Sequence, residues 1–367
     1  MKIQIAERFH PFFHRPGAQI FLPLSTWVVT LYPARIQLES LSQESRKLTL
    51  DFSLQGPVRQ FTGECDLERG LIRVFGRVSK GYFRYVIKRV EEGIALTFEK
   101  IPGASFECTY REEKTTYSLK EKESILFSLP KEAGSASVPQ ARLSLGNHKK
   151  QDWDMVLRRF DLQELLPVAM RLGEMIPFTS RNQESAGTLA LLKSFAEATT
   201  SCRRLEAQEA CEQWLRHSFA DFLIPSLDDP YFQGVIPPCG NDLPRGLALR
   251  HLTEGARLIR SLFFREAEES WVTLPCLFPL FSAGRLIDVC TSHREQISME
   301  WSKHQLKKMI VHTLQPKVQK LVLPKEIRSF RVRASLKERG RVIAVHKGRA
   351  ELNLPADAHL FLDCFKN

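Results

Sequence analysis

The richest chemical grouping in this 367-residue chain lies between positions 214 and 245. Ser226-Leu-Asp-Asp-Pro-Tyr-Phe232 sets two adjacent carboxylates, Asp228 and Asp229, beside two aromatic residues, Tyr231 and Phe232. Asn241, Asp242 and Arg245 follow in the same Pro- and Gly-containing stretch, and Trp214 precedes it on a helical segment. Carboxylates are the groups of general acid–base work. Flat apolar rings beside planar polar groups suit a sugar, which offers C–H faces to the one and hydroxyls to the other. The grouping points to a carbohydrate ligand, with Trp214, Tyr231 and Phe232 stacking and Asn241 and Arg245 hydrogen-bonding hydroxyls. Its alternative is a charged turn around Pro230 with the aromatic side chains in the core.

Most other chemistry has no sequence support. There is no G-x-G-x-x-G, no G-x-x-x-x-G-K-[ST] and no G-x-S-x-G, so neither a phosphate-cradling loop nor a nucleophile elbow is indicated. His10 and His14 have the i,i+4 spacing of one helical face, but Pro11 stands between them and no third ligand is near. They read as structural, and no metal or cofactor is expected. The eight cysteines form no C-x-x-C pair. With no apolar h-region after the N-terminal charges, free thiols and a cytoplasmic location are expected.

Net charge is +11, from 53 Lys and Arg against 42 Asp and Glu, but it is unevenly spread. Lys303 to Arg349 holds 14 Lys and Arg against Glu326 and Glu338, so this one segment carries the basicity. It reads either as a surface for nucleic acid or an acidic partner, or as the solvated face of a strand-rich domain. No apolar run reaches the ~18–20 residues of a membrane helix, so no membrane partner is expected.

Three kinds of element must position these residues. Up to about residue 128 the pattern has a period of two, as in Leu48–Leu54, Leu71–Phe75, Tyr82–Ile87, Ile94–Phe98, Thr115–Leu119 and Ser124–Ser128. Successive strand side chains point to opposite faces, so this series predicts an antiparallel β-sandwich over 1–128. Residues 129–151 read as a linker. From Asp152 the period is helical: Asp161 caps a helix bearing Leu162, Leu165, Leu166 and Ala169. Further helices are predicted over 184–199 and 203–222 and through Ala256–Phe263, giving a helical domain over 152–273. Short strands return over 274–367. Segregated β, α and β blocks predict an α+β multidomain protein, not an alternating parallel-sheet fold.

Trp271-Val-Thr-Leu-Pro-Cys-Leu-Phe-Pro279, Ser282-Ala-Gly-Arg-Leu286, Ile297-Ser-Met-Glu-Trp301 and Ile327–Arg333 carry a family likeness. With Leu274, Pro275, Leu277, Pro279, Gly284, Trp301 and Leu306 in place, this stretch resembles the inverting α-L-fucosidase family, glycoside hydrolase family ninety-five. The resemblance spans about Glu254 to Arg333 in residues and the rest in layout. It implies a shortened α/α-toroid in the middle and a small C-terminal β-domain. It also implies inverting hydrolysis, in which a protonated carboxyl faces a water-activating base about 6.5–9.5 Å away. Asp228 or Asp229 would be the acid and Asp242 the partner that activates water. The family's acidic stretch falls on Leu243–His251, which has arginines and no carboxylate. A relative that binds or scaffolds without hydrolysis is therefore the alternative.

Overall fold

The computed structural model describes residues 2–42, 47–103, 106–128, 138–147, 149–179, 185–231, 233–237, 239, 243–244, 246–267, 269–335 and 337–367. The N-terminal strands pair antiparallel into two six-stranded sheets. One runs in the order Phe12–Phe13, Arg59–Asp66, Leu71–Val78, Gly81–Val90, Gly93–Lys100, Ser124–Ser128. The other runs Thr115–Leu119, Phe106–Tyr110, Lys47–Phe52, Arg35–Ser40, Trp27–Tyr32, Ala18–Phe21. Alternation does what it should: in Lys47–Phe52, Leu48, Leu50 and Phe52 are buried while Lys47 is exposed. The buried faces meet. Phe52 of one sheet lies 5.1 Å from Tyr85 and 5.6 Å from Phe98 of the other, and Phe98 lies 4.9 Å from Phe106. Rings interdigitating between two sheets make this a β-sandwich.

Five helices follow among the described residues: α1 (Trp153–Arg159), α2 (Leu162–Glu174), α3 (Leu189–Thr200), α4 (Arg204–Ser218) and α5 (Arg250–Phe263). Asp152 caps α1 by accepting from Met155 N–H, and Asp161 caps α2 by accepting from Gln163 N–H. Helix α2 packs on α5, and α3 packs on both α4 and α5. A Cβ on Gly173 would sit 2.2 Å from the Leu252 carbonyl oxygen, so only glycine allows α2 and α5 to approach this closely.

Helix α4 stops at Ser218, short of the expected Phe222. Phe219–Ala220 instead pairs with Ile224–Pro225 in a small hairpin, because Asp221 and Leu223 turn the chain with left-handed backbone, φ 40° and 53°. Sequence periodicity does not see this: Phe219 and Phe222 are buried in the hairpin as they would be on a helix.

The C-terminal part forms two more sheets. A seven-stranded antiparallel one runs Arg142–Ser144, Ala283–Cys290, Gln296–Ser302, Gln305–Thr313, Ala358–Lys366, Ser329–Arg333, Arg341–Ala344. A four-stranded one runs Phe264–Ala267, Ser270–Thr273, Lys317–Val322, Arg349–Leu354. Two boundaries differ from expectation. The 129–151 stretch is more than a tether, because Arg142–Ser144 is the edge strand beside Ala283–Cys290; residues 129–137 lie outside the described residues. The β-part also begins at Phe264, ten residues early, since α5 runs directly into a strand. Arg171 of α2 fastens the blocks together, donating to the carbonyls of Leu67, Pro139 and Ala141 from a buried position. The main apolar core is continuous from the sandwich through the helices to the C-terminal sheets. No helix among the described residues is long and apolar enough to cross a membrane.

Candidate functional site

The 226–233 loop is held by a chain of buried polar groups that starts at Trp214. The indole N–H donates to His251 Nδ1 at 3.0 Å, and His251 Nε2 lies 2.9 Å from Thr188 Oγ1. An indole only donates, so Nδ1 must accept and the proton of the neutral ring sits on Nε2. Thr188 then accepts from the ring and passes its own O–H to the Ser226 carbonyl at 2.5 Å. Burial, and after it the neighbouring Arg250, pushes the His251 imidazole down to about 3, which keeps it neutral. Trp214 is only 1% exposed, between Phe195 at 5.6 Å and Phe219 at 5.4 Å. A Cβ on Gly255 would strike its ring at 2.5 Å. Trp214 therefore cannot offer a face to a ligand. This corrects its expected stacking role.

The two adjacent carboxylates are also occupied. Asp229, 5% exposed, accepts from Tyr231 N–H at 3.1 Å and Gln233 N–H at 2.8 Å. Asp228 accepts from Cys239 N–H at 2.7 Å. Both shape the loop, as short carboxylates do in turns. Phe232, Asn241, Asp242 and Arg245 lie outside the described residues. Tyr231 is the expected residue that reaches a cavity, and it is 52% exposed.

That cavity is a cleft of about 270 Å³ where α1, α4, the hairpin and the loop converge. Leu157, Phe160, Leu165, Leu215, Phe219 and Leu223 give it an apolar floor, and Arg216, Asp221, Tyr231 and Gln233 a polar rim. Phe160 occupies the C-cap of α1 in left-handed conformation, φ 48° and ψ 46°. Its ring lies 4.1 Å beneath the Arg216 guanidinium. Asp221 accepts from Arg15 and from Gln19 N–H, both of the sandwich region. The Trp153 indole donates to the Asp221 carbonyl at 2.8 Å, and Phe222 packs edge-on against Trp153 at 4.6 Å. Burial, then the Asp221 charge, raises the Tyr231 phenol above its usual range. Sequence reading missed Phe160, Asp221 and Leu223, because left-handed backbone outside glycine leaves no pattern in the residues, and Arg216, because its partner ring lies on another helix.

Elsewhere, His10 bridges two carboxylates, Glu64 at 3.3 Å and Asp66 at 3.1 Å. Its bond to Asp66 raises the imidazole, against an opposing burial effect. Arg73 lies 3.1 Å from Glu64, and the Glu68 and Arg69 N–H groups donate to Asp66. His10, Glu64 and Asp66 offer ligand atoms close enough to surround a cation, yet Arg73 already lies against both carboxylates. The cluster is an ion-pair network. His14, four residues on, lies 3.0 Å from Thr62 Oγ1.

The basic segment divides in two. Lys308, Lys317 and Lys320 pair with Glu300, Glu295 and Glu269, and Arg331 and Arg333 share Asp363. Lys325, Arg328, Lys347 and Arg349 form no ion pair among the described residues. Backbone bonds from Leu323 to Gly348 and from Val345 to Arg328 bring their loops to one corner.

Compared with models of known protein families and with curated proteins, the chain matches none.

Proposed function

We propose that this chain binds a carbohydrate in the cleft between α1, α4 and the 219–225 hairpin, and binds it without hydrolysing it. One observation carries the reading: of the ten described residues that line the cleft, three, Phe160, Asp221 and Leu223, hold left-handed backbone. Such a conformation costs roughly 1–2 kcal/mol for a residue with a side chain. Strain of this kind collects where a fold over-determines a binding site. The lining supports the ligand class, since an apolar floor with the half-exposed Tyr231 ring and a rim of guanidinium, amide and carboxylate matches a sugar's two kinds of surface.

Binding is favoured over hydrolysis by the carboxylates. Inverting hydrolysis needs two of them across a gap. Among the described residues Asp221 is the only carboxylate lining the cleft, and it is engaged by Arg15. Asp228 and Asp229 are engaged by backbone N–H groups. The order of sandwich, helices and C-terminal β-part supports a layout like that of the inverting α-L-fucosidases, with the five helices as a partial toroid. Titration calorimetry against a broad glycan panel tests the reading. Tyr231→Ala should weaken the best ligand about tenfold or more, the scale of losing one well-packed ring. Binding indifferent to that change would remove the cleft from consideration. Turnover of a glycoside that disappears in Asp242→Asn would restore the hydrolytic form.

A second reading rests on the corner of Lys325, Arg328, Lys347 and Arg349, four cations without acidic partners among the described residues. Here a polyanion would bind by charge. Affinity for a random-sequence duplex should fall steeply as salt rises from 50 to 200 mM, and Arg328→Ala/Arg349→Ala should flatten that slope. A slope unchanged by the double substitution would eliminate it.

A further inference from the structure

This inference rests on the cleft being a carbohydrate site and concerns the charge of its occupant. Arg216 projects from the last turn of α4 onto the Phe160 ring, with the guanidinium carbon 4.1 Å from the ring centre. At that distance the ring covers one face of the group and holds it by cation–π attraction. What remains available is the edge, where the N–H donors lie in a plane. These donors make no hydrogen bond or ion pair among the described residues, although the side chain is well placed by its ring. The other charge on the rim is not available in the same way. Asp221 accepts from Arg15 and from Gln19 N–H. Arg159, on the neighbouring turn of α1, is likewise spent on Glu164. The uncommitted charge of the cleft is therefore positive, planar and held in place before any ligand arrives.

We propose that the occupant is an acidic sugar, whose carboxylate docks edge-on against Arg216 while its ring covers the apolar floor beside Tyr231. A guanidinium matches a carboxylate through two parallel N–H···O bonds, and stacking on Phe160 lowers the rotamer freedom lost when they form. A neutral sugar would leave that fork facing a hydroxyl, which accepts less strongly than an anion.

The test compares oligosaccharides of glucuronate, galacturonate and mannuronate with their carboxyl-reduced counterparts and with sulfated neutral ones, by calorimetry on the full chain. At least one uronate should bind about tenfold tighter than its reduced form. Arg216→Gln should abolish that preference, bringing the uronate down to the affinity of its reduced form, and Arg216→Lys should restore only part of it, because an ammonium has no fork. Because Arg216 is exposed, both variants should keep the wild-type circular dichroism spectrum. Equal binding of uronate and reduced sugar would overturn the acidic assignment while leaving the carbohydrate site standing. So would a preference that survives Arg216→Gln. Tighter binding of the sulfated sugars than of any uronate would overturn the carboxylate itself. If no sugar of any charge binds, both readings fall together.

Discussion

Glu174 closes α2 with its Oε2 atom buried and without a hydrogen-bond partner among the described residues. Burial pushes its carboxyl up to about 7, although Arg260 and Arg171 pull the other way. The unfolded value is near 4.5, so between these two pH values the folded state holds the proton more firmly. Stability must then fall as pH rises from about 4.5 to 7 and stay low above that. Glu174→Gln keeps the shape and removes the charge. It should stabilise the protein at pH 8 by up to about 3 kcal/mol and do little at pH 4. Urea midpoints for both proteins at the two pH values check this; parallel pH profiles would show that Glu174 is solvated. His251 illustrates the opposite arrangement, a buried imidazole made harmless by one donor, Trp214, and one acceptor, Thr188.

Helices α2 and α5 meet at Gly173, and here intrinsic propensity and packing disagree. Alanine is the better helix former by about 1 kcal/mol, so propensity alone predicts that Gly173→Ala stabilises. The added Cβ would lie 2.2 Å from the Leu252 carbonyl oxygen and 2.8 Å from the Ala256 Cβ, and backbone cannot step aside as a side chain tip can. The helices must separate, at a cost typical of overpacking, about 1–3 kcal/mol. Net destabilisation is expected, read as a lower Tm by calorimetry; a rise in Tm would mean that the two helices slide freely. The hairpin after α4 shows the same conflict between local and tertiary demands. Its turn is paid for by Trp153, Gln19 and Arg15, which bind Asp221 and Phe222 from three directions.

Over the whole molecule, Arg171 links blocks that lie far apart in the chain. Its guanidinium is buried and serves the carbonyls of Leu67 in the sandwich region and of Pro139 and Ala141 just before the Arg142–Ser144 strand. Desolvation pulls its pKa down, while the charges of Glu68 and Glu174 act the other way. Arg171→Met fills similar space and leaves three buried acceptors unpaired, each costing about 1–3 kcal/mol. The expected loss is at least about 3 kcal/mol, with sandwich and helices unfolding at different denaturant concentrations. Variants that keep only Trp214, in the helical part, or only Trp27, in the sandwich, follow the two blocks separately by fluorescence; coincident, unshifted transitions would mean that Arg171 does not couple them.

The block order β, α, β was legible because burial imposes its period wherever an element has one wet face. Thr115–Leu119 and Ser124–Ser128 were read to the residue, and Asp161 was recognised as a cap because its chemistry is local. Around the site the reading was partial. Clustered carboxylates and rings drew attention to a loop whose Tyr231 lines a cleft, yet composition cannot tell an acid that faces a ligand from one that accepts backbone N–H groups, as Asp228 and Asp229 do. Nor can it tell a stacking tryptophan from a buried one. Trp214 became core only because Gly255 and Phe195 lie against it. Phe160 and Arg216 are 56 positions apart, and Arg15 and Asp221 more than two hundred. No local rule connects such pairs. Their meeting is decided by the packing of helix on sandwich, which settles which side chains face the cleft and which are spent in holding it open.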